Sequence, residues 1–183
     1  EPTDKHPFSI TTEVSDCPWQ PKHRLVHIGL QGKHTPVENL PAANLVFLVD
    51  VSGSMSAANK LPLVQASYKL LAEQLRPQDR VAIVVYAGAA GLVLESTTGN
   101  HKTKIKEAID KLQAGGSTAG GEGILLAYKT AKENFIKGGN NRVILASDGD
   151  FNVGVSSDGE LVRIIEEERK SGVYLTILGY GMG

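Results

Sequence analysis

The 183-residue sequence has one cysteine, no long apolar run and almost no net charge. The single cysteine, Cys17, cannot form an internal disulfide, and we expect it to be a small buried side chain. No run approaches the roughly 20 apolar residues of a membrane-spanning helix, and no secretory signal opens the chain. Membrane insertion by this segment is therefore excluded.

The balance of charge excludes a further class of partner. Lys and Arg number 19 and Asp and Glu number 20, which gives a net charge of −1, so nothing attracts the whole chain to nucleic acid or to an anionic membrane. Length and composition fit one monomeric domain with a short appendage. Because the sequence begins at Glu1 rather than Met, we expect an envelope or periplasmic location if a signal lies upstream, and a cytoplasmic one otherwise.

The first 43 residues differ in pattern from the rest. Residues 8–14 and 24–30 alternate apolar with polar side chains, which is the period of half-buried strands. Prolines around Trp19 separate the two segments. We predict a β-rich extension over residues 1–43, an antiparallel ribbon that packs beside a main domain at residues 44–183 and uses Trp19 as its anchor.

From residue 44 onward strands alternate with helices, which is typical of a parallel sheet covered by helices. The predicted strands are 45–49, 80–86, 92–95, 142–146 and 173–178, and the predicted helices are 61–75, 102–112, 122–136 and 158–170. Residues 87–91 form a turn that makes the third strand an antiparallel edge. The predicted fold is α/β, a doubly wound, mostly parallel sheet with one antiparallel edge strand.

Polar residues follow the first of these strands. Asp50, Ser52 and Ser54 come at the carboxyl end of a predicted parallel strand, where open α/β sheets bind ligands. We expect Gly53 to let the backbone turn tightly, so that the three oxygen donors converge. One carboxylate and two hydroxyls suit Mg²⁺ or Mn²⁺ better than zinc. The alternative is a serine-rich turn in which Asp50 caps the next helix.

Two later segments carry the same kinds of side chain. Residues 114–121 form a glycine-rich loop with the hydroxyls of Ser117 and Thr118, and the strand at 142–146 runs into Ser147 and Asp148. Parallel strands place these loops at one edge of the sheet. Together with the first loop they offer three hydroxyls and two carboxylates, enough for an octahedral site that keeps some water.

In this order the three segments resemble the metal-ion-dependent adhesion site of von Willebrand factor type A domains, especially the bacterial members. The metal ligands that the resemblance implies are Asp50, Ser52, Ser54, Thr118 and Asp148. It favours Thr118 over Ser117 as the metal-facing hydroxyl, and it implies the strand order 3-2-1-4-5. Members of the family normally continue with one more helix and strand, so we expect this chain to be a fragment of a larger protein, truncated before them.

The sequence carries few signs of an enzyme. It has neither a Gly-x-Ser-x-Gly elbow nor a P-loop, and no histidine falls near the three loops to move a proton. A metal-dependent hydrolase stays open, because Mg²⁺ can itself activate water, and so does a structural domain that binds no metal. We expect a non-enzymatic module whose metal captures an Asp or Glu carboxylate of a partner protein.

Three nearby side chains have two interpretations each. Asp150 and Glu122 either hold metal-bound water or are solvated acids of a loop and a helix start. Phe151 is either an exposed partner contact or is tucked under its own loop.

Overall fold

The computed structural model describes residues 2, 5–34, 36–116, 120–149 and 158–181. The chain forms two compact units, Glu1–Leu40 and Pro41–Gly183. Each unit has its own β-sheet. Within the described ranges, no helix is both long enough and apolar enough to cross a membrane.

The first unit is a two-stranded antiparallel sheet. β1 (Phe8–Asp16) pairs with β2 (Arg24–Gly32), so both strands predicted from alternation are confirmed. The register, in which Ile10 lies opposite Leu30, places all the large apolar residues of both strands except Leu25 on one face. These residues, each at least half exposed, are Phe8, Ile10, Val14, Val26, Ile28 and Leu30.

The predictions for two side chains of the first unit have different outcomes. Cys17 is buried, as predicted for a lone cysteine. Trp19 is 75% exposed, and its role as an anchor against the main domain stays a prediction. Trp19 lies in the turn between β1 and β2, where the chain reverses and a side chain has few neighbours. The packing of this extension beside the main domain stays a prediction.

The second unit contains a five-stranded sheet in the order β5-β4-β3-β6-β7. Its strands are β3 (Ala43–Asp50), β4 (Arg80–Ala87), β5 (Ala89–Thr98), β6 (Asn140–Ser147) and β7 (Tyr174–Gly179). All neighbouring strands are parallel except β4 and β5. Counted from β3, the order is 3-2-1-4-5, as expected. The carboxyl ends of β3 and β6 therefore lie side by side at the switch point of the sheet.

Helices flank this sheet and close its core. They are α1 (Leu61–Gln74), α2 (Lys102–Asp110), α3 (Gly120–Glu133) and α4 (Asp158–Lys170). Successive residues of β3 belong to different sides: Phe47 packs with α1 and α2 and stacks on Tyr68, with ring centroids 4.0 Å apart, whereas Leu48 packs with α3. Burial on both faces explains why β3 is apolar at every position from Leu45 to Val49.

Two expectations about local structure need correction. β5 begins at Ala89 rather than at residue 92, because Gly88, with a φ of +72°, reverses the chain in a tight turn. Gly53 does not have a positive φ, and a Cβ there would meet Gly116 O at an ordinary 3.7 Å. The loop after Asp50 turns because Gly53–Ser56 form a 3₁₀ helix, a conformation that needs no glycine.

Candidate metal centre

Backbone hydrogen bonds hold the first two strand-end loops together. The N–H of Gly115 donates to Val51 O at 2.7 Å, and the N–H of Gly53 donates to Gly116 O at 3.2 Å. Gly116 adopts a φ of +85°, which favours glycine. These two bonds hold the glycine-rich loop against the loop that follows β3. The second bond is made at Gly116, which lies two positions before Thr118.

Asp50 is the last residue of β3, and its side chain is fully buried. Its Oδ1 accepts the N–H of Ser52 at 2.9 Å, while its Oδ2 accepts the hydroxyls of Tyr86 at 3.2 Å and Ser147 at 3.5 Å. A buried carboxylate without such donors would be costly. Asp50 is therefore a fixed acceptor beneath the loop that carries the serines.

Ser52 and Ser54 present their hydroxyls side by side, with an Oγ–Oγ distance of 3.0 Å. Two adjacent oxygens around Mg²⁺, each bonded at about 2.0–2.1 Å, are about 2.9 Å apart. Ser52 is buried and Ser54 is exposed, so the pair reaches from the protein interior to the surface. The spacing of these oxygens fits two neighbouring positions of an octahedral Mg²⁺ or Mn²⁺ site.

Asp148 comes directly after β6 and brings the second carboxylate to this edge. Its side chain is 3% exposed, and its Oδ2 accepts a hydrogen bond from Lys60 Nζ at 2.8 Å. Gly149 then takes a φ of +107°, and its N–H donates to Ser147 Oγ at 3.1 Å. This φ lies in the left-handed region, which glycine adopts without strain, so the position directly after Asp148 favours glycine.

Tyr86 is a residue of the site to which the sequence analysis gave no role. It lies in the predicted strand 80–86 and is a buried residue of β4. Burial first, and then the Asp50 carboxylate, raise the pKa of Tyr86 far above its ordinary value, so its hydroxyl stays protonated as a donor to Asp50. The signal that could have found it is the parallel register, which sets Tyr86 opposite Asp50.

Several other predicted residues fall elsewhere or outside the described chain. Glu122 is exposed in the first turn of α3, as expected of a solvated acid at a helix start. Thr118, Ser117, Asp150 and Phe151 lie outside the described residues. The described part of the chain holds no group of three or more His, Cys, Asp or Glu side chains placed to bind a metal. The donors at the candidate metal centre are hydroxyl and carboxylate oxygens, which suit Mg²⁺.

Sequence comparison finds relatives of this chain. A profile of the von Willebrand factor type A domain matches residues 45–150. The chain is 47% identical over 175 residues to the protein YfbK of Escherichia coli (strain K12), an alignment that covers 96% of this chain. The chain spans 30% of the length of that relative.

Solved structures share the fold at low sequence identity. A von Willebrand factor type A protein from Catenulispora acidiphila superimposes with a TM-score of 0.65 at 20% identity, covering 85% of this chain and 35% of that one. An aerotolerance-related membrane protein from Bacteroides fragilis superimposes with a TM-score of 0.63 at 22% identity, covering 77% of this chain and 69% of the other. These likenesses establish the α/β architecture.

Proposed function

Because this chain belongs to the von Willebrand factor type A domain family, we propose that it is a metal-dependent protein-binding module. Domains of this family are mostly protein-interaction modules, some of them in bacterial aerotolerance-type proteins. In the proposal the metal is Mg²⁺ or Mn²⁺, and the group that the module captures is an Asp or Glu carboxylate of a partner protein.

Five residues hold the cation in this proposal: Asp50, Ser52, Ser54, Thr118 and Asp148. When bound, the cation supplies positive charge and a coordination position that a carboxylate oxygen can fill. Three of the five ligands are neutral hydroxyls, and the two carboxylates together match the charge of the cation. A partner's carboxylate then completes the coordination.

The observation that carries the proposal is the placement of the Ser52 and Ser54 hydroxyls, 3.0 Å apart above the buried Asp50. Asp50 holds the N–H of Ser52, and the 3₁₀ helix at Gly53–Ser56 fixes the position of Ser54. The chain therefore presents both hydroxyls at octahedral spacing through contacts of its own. Such preorganisation lowers the cost of binding a cation.

We assign no catalytic residue to this site. The Asp50 carboxylate accepts three hydrogen bonds, and in this proposal it serves the cation rather than the proton of a substrate. Tyr86 keeps its proton near neutral pH and cannot serve as a base. A metal-dependent hydrolase using these loops is the competing function, and it would show turnover that Asp50→Asn abolishes.

Metal-dependent capture tests the proposed function. The immobilised protein is mixed with an extract of its native organism in Mg²⁺ and again in chelator, and bound partners are identified by mass spectrometry. We expect capture in Mg²⁺ only, weakened at least tenfold by Ser54→Ala or Thr118→Ala. Ser67→Ala is the matched control, because its hydroxyl is exposed and donates to Leu63 O within α1. Capture that is equal in chelator would contradict the metal bridge.

The partner's side of the bridge is tested next. Replacing the contacting Asp or Glu of the identified partner with Asn or Gln keeps its shape and removes its charge. We expect this change to weaken capture as much as Ser54→Ala does, because each removes one half of the same coordination. Unchanged capture of the partner variant would mean that the two proteins bind through an ordinary contact and not through a carboxylate bridge.

We also propose that the protein acts in the cell envelope. The structural neighbour from Bacteroides fragilis is described as a membrane protein, and this supports an envelope location for a domain of the same fold. Fractionation of the native organism tests it, with recovery in the envelope fraction expected. Recovery in the cytosol alone would overturn this location.

A further inference from the structure

Lys60 reaches the candidate metal centre from a position directly before α1. Its Nζ donates to Asp148 Oδ2 at 2.8 Å and to Ser54 O at 3.1 Å. The Asp148 side chain is 3% exposed and that of Lys60 is 25% exposed. The ammonium group thus touches two of the proposed metal-binding residues, one on each of two loops, in a partly buried position.

The backbone and the stem of Lys60 are both held. Lys60 lies directly before α1, and its N–H donates to Ala57 O at 2.9 Å. A Cβ at Gly181 would lie 3.1 Å from Lys60 Cε, so the lysine stem runs along the backbone that follows β7. Gly181, with a φ of +96°, in turn donates its N–H to Asn59 O at 3.2 Å. Lys60 is therefore directed at Asp148 by its surroundings.

A cation in this position has an electrostatic consequence. The carboxylate of Asp148 is withdrawn from water, so the nearby ammonium offsets its charge more effectively than a solvated lysine would. A divalent cation that drew on the same carboxylate would face repulsion from the ammonium and would have to displace it. Lys60 and the metal thus compete for the single negative charge of the Asp148 carboxylate.

We propose that Lys60 is a positioning residue that competes with the divalent metal for Asp148 and sets the metal affinity of the site. This inference rests on the proposed metal site. With Lys60 in place, the metal has to displace the ammonium from Asp148, and metal binding is weakened. Without the ammonium, Asp148 is released to the cation and binding becomes tighter.

Calorimetric titration of the protein with MnCl₂ tests the competition. Lys60→Met keeps the length of the stem and removes the charge, and we expect it to bind Mn²⁺ about tenfold more tightly than the unaltered protein. Lys60→Arg retains a cation and should stay close to the unaltered affinity. Equal or weaker Mn²⁺ binding by Lys60→Met would overturn the proposal.

Lys69→Met is the matched control for the change in net charge. Lys69 pairs with Asp110 at 2.7 Å on the surface, and it lies about 14 Å further along α1, beyond the screening length at physiological salt. Its variant should bind Mn²⁺ with an affinity within about twofold of the unaltered protein. An increase as large as that of Lys60→Met would show a general charge effect and refute a specific competition.

A second readout covers poor folding of the methionine variant. The melting temperature of Lys60→Gln is measured in chelator and in MnCl₂, and we expect Mn²⁺ to raise it further than it raises that of the unaltered protein. If the unaltered protein binds Mn²⁺ and the Lys60 variants show no gain, the competition alone is refuted. If none of these proteins binds Mn²⁺, the proposed metal site itself fails.

Discussion

The two units of this chain place the same kinds of apolar side chain in opposite surroundings. In β3, Val46, Phe47 and Leu48 are completely buried between helices on both faces of the sheet. In the two-stranded unit, Ile10 and Ile28 are 60% and 63% exposed on one face. An isolated two-stranded sheet is at best marginally stable. Apolar alternation thus indicates a strand, whereas the cover over its faces decides how much that strand stabilises the protein.

Truncating one side chain in each unit gives the largest expected contrast. Phe47→Ala should lower the free energy of unfolding by about 3–5 kcal/mol, because it leaves a cavity and removes the stacking on Tyr68. Ile28→Ala should cost less than about 1 kcal/mol, because little of its exposed area is removed from water. Urea unfolding measures both. Equal losses would show that the apolar face of β1 and β2 is covered in solution.

Adding one methyl group to a glycine of each unit tests the same contrast between the two units, with a smaller expected effect. A Cβ at Gly123 would lie 2.9 Å from Tyr86 Cβ and 3.3 Å from Leu48 Cδ1, so Gly123→Ala should destabilise the protein by about 1–3 kcal/mol. Gly32 in β2 is the matched control, because a Cβ there meets nothing within 4 Å. Thermal unfolding of both variants checks this. A harmless Gly123→Ala would mean that α3 packs less closely on the sheet.

The ion pairs of the two units should differ in their response to acid. Burial alone would raise the pKa of Asp79, but hydrogen bonds from Arg76 and from the N–H of Ala43 outweigh it and hold this pKa below its ordinary value. Between the lowered pKa of Asp79 and its ordinary value, this carboxyl therefore binds fewer protons in the folded protein than in the unfolded chain. The stabilising contribution of Asp79 is complete above the ordinary carboxyl pKa and disappears as the pH falls through the lowered one.

Unfolding measured from pH 7 down to pH 2 tests the role of this ion pair. The loss of stability in acid should become shallower in Asp79→Asn. Asp16→Asn is the control, because the Asp16–Arg24 pair of the first unit is exposed and contributes little. An unchanged acid profile in Asp79→Asn would assign the loss to other carboxylates.

Much of the fold could be predicted from the sequence because its signals are local. The observed bounds of β3, β4 and β6 lie within two residues of the bounds predicted from their apolar runs. The order of the strands came from the resemblance to a family, since pairing over long distances leaves no mark in a single strand. The exposure of Trp19 escaped prediction for the same reason, because burial depends on what lies opposite a side chain.

The candidate site was predictable where its residues follow one another along the chain or where, as for Asp148, they directly follow a strand of the sheet. Asp50, Ser52 and Ser54 lie in one short loop, so their spacing already indicated an oxygen-ligand site. Tyr86 and Lys60 reach the same place from β4 and from the start of α1, and only the register and the packing of these elements reveal it. Their roles are tertiary properties that no local pattern encodes.

Metal binding by the serine pair is the most direct test of the proposed site. Electron paramagnetic resonance of Mn²⁺ is measured with the unaltered protein, with the double variant Ser52→Ala plus Ser54→Ala, and with Ser67→Ala as the control. We expect the unaltered protein and the control to bind Mn²⁺ that Mg²⁺ displaces, and the double variant to lose at least tenfold in affinity while melting normally in chelator. Equal Mn²⁺ binding by all three proteins would contradict the assignment of the site.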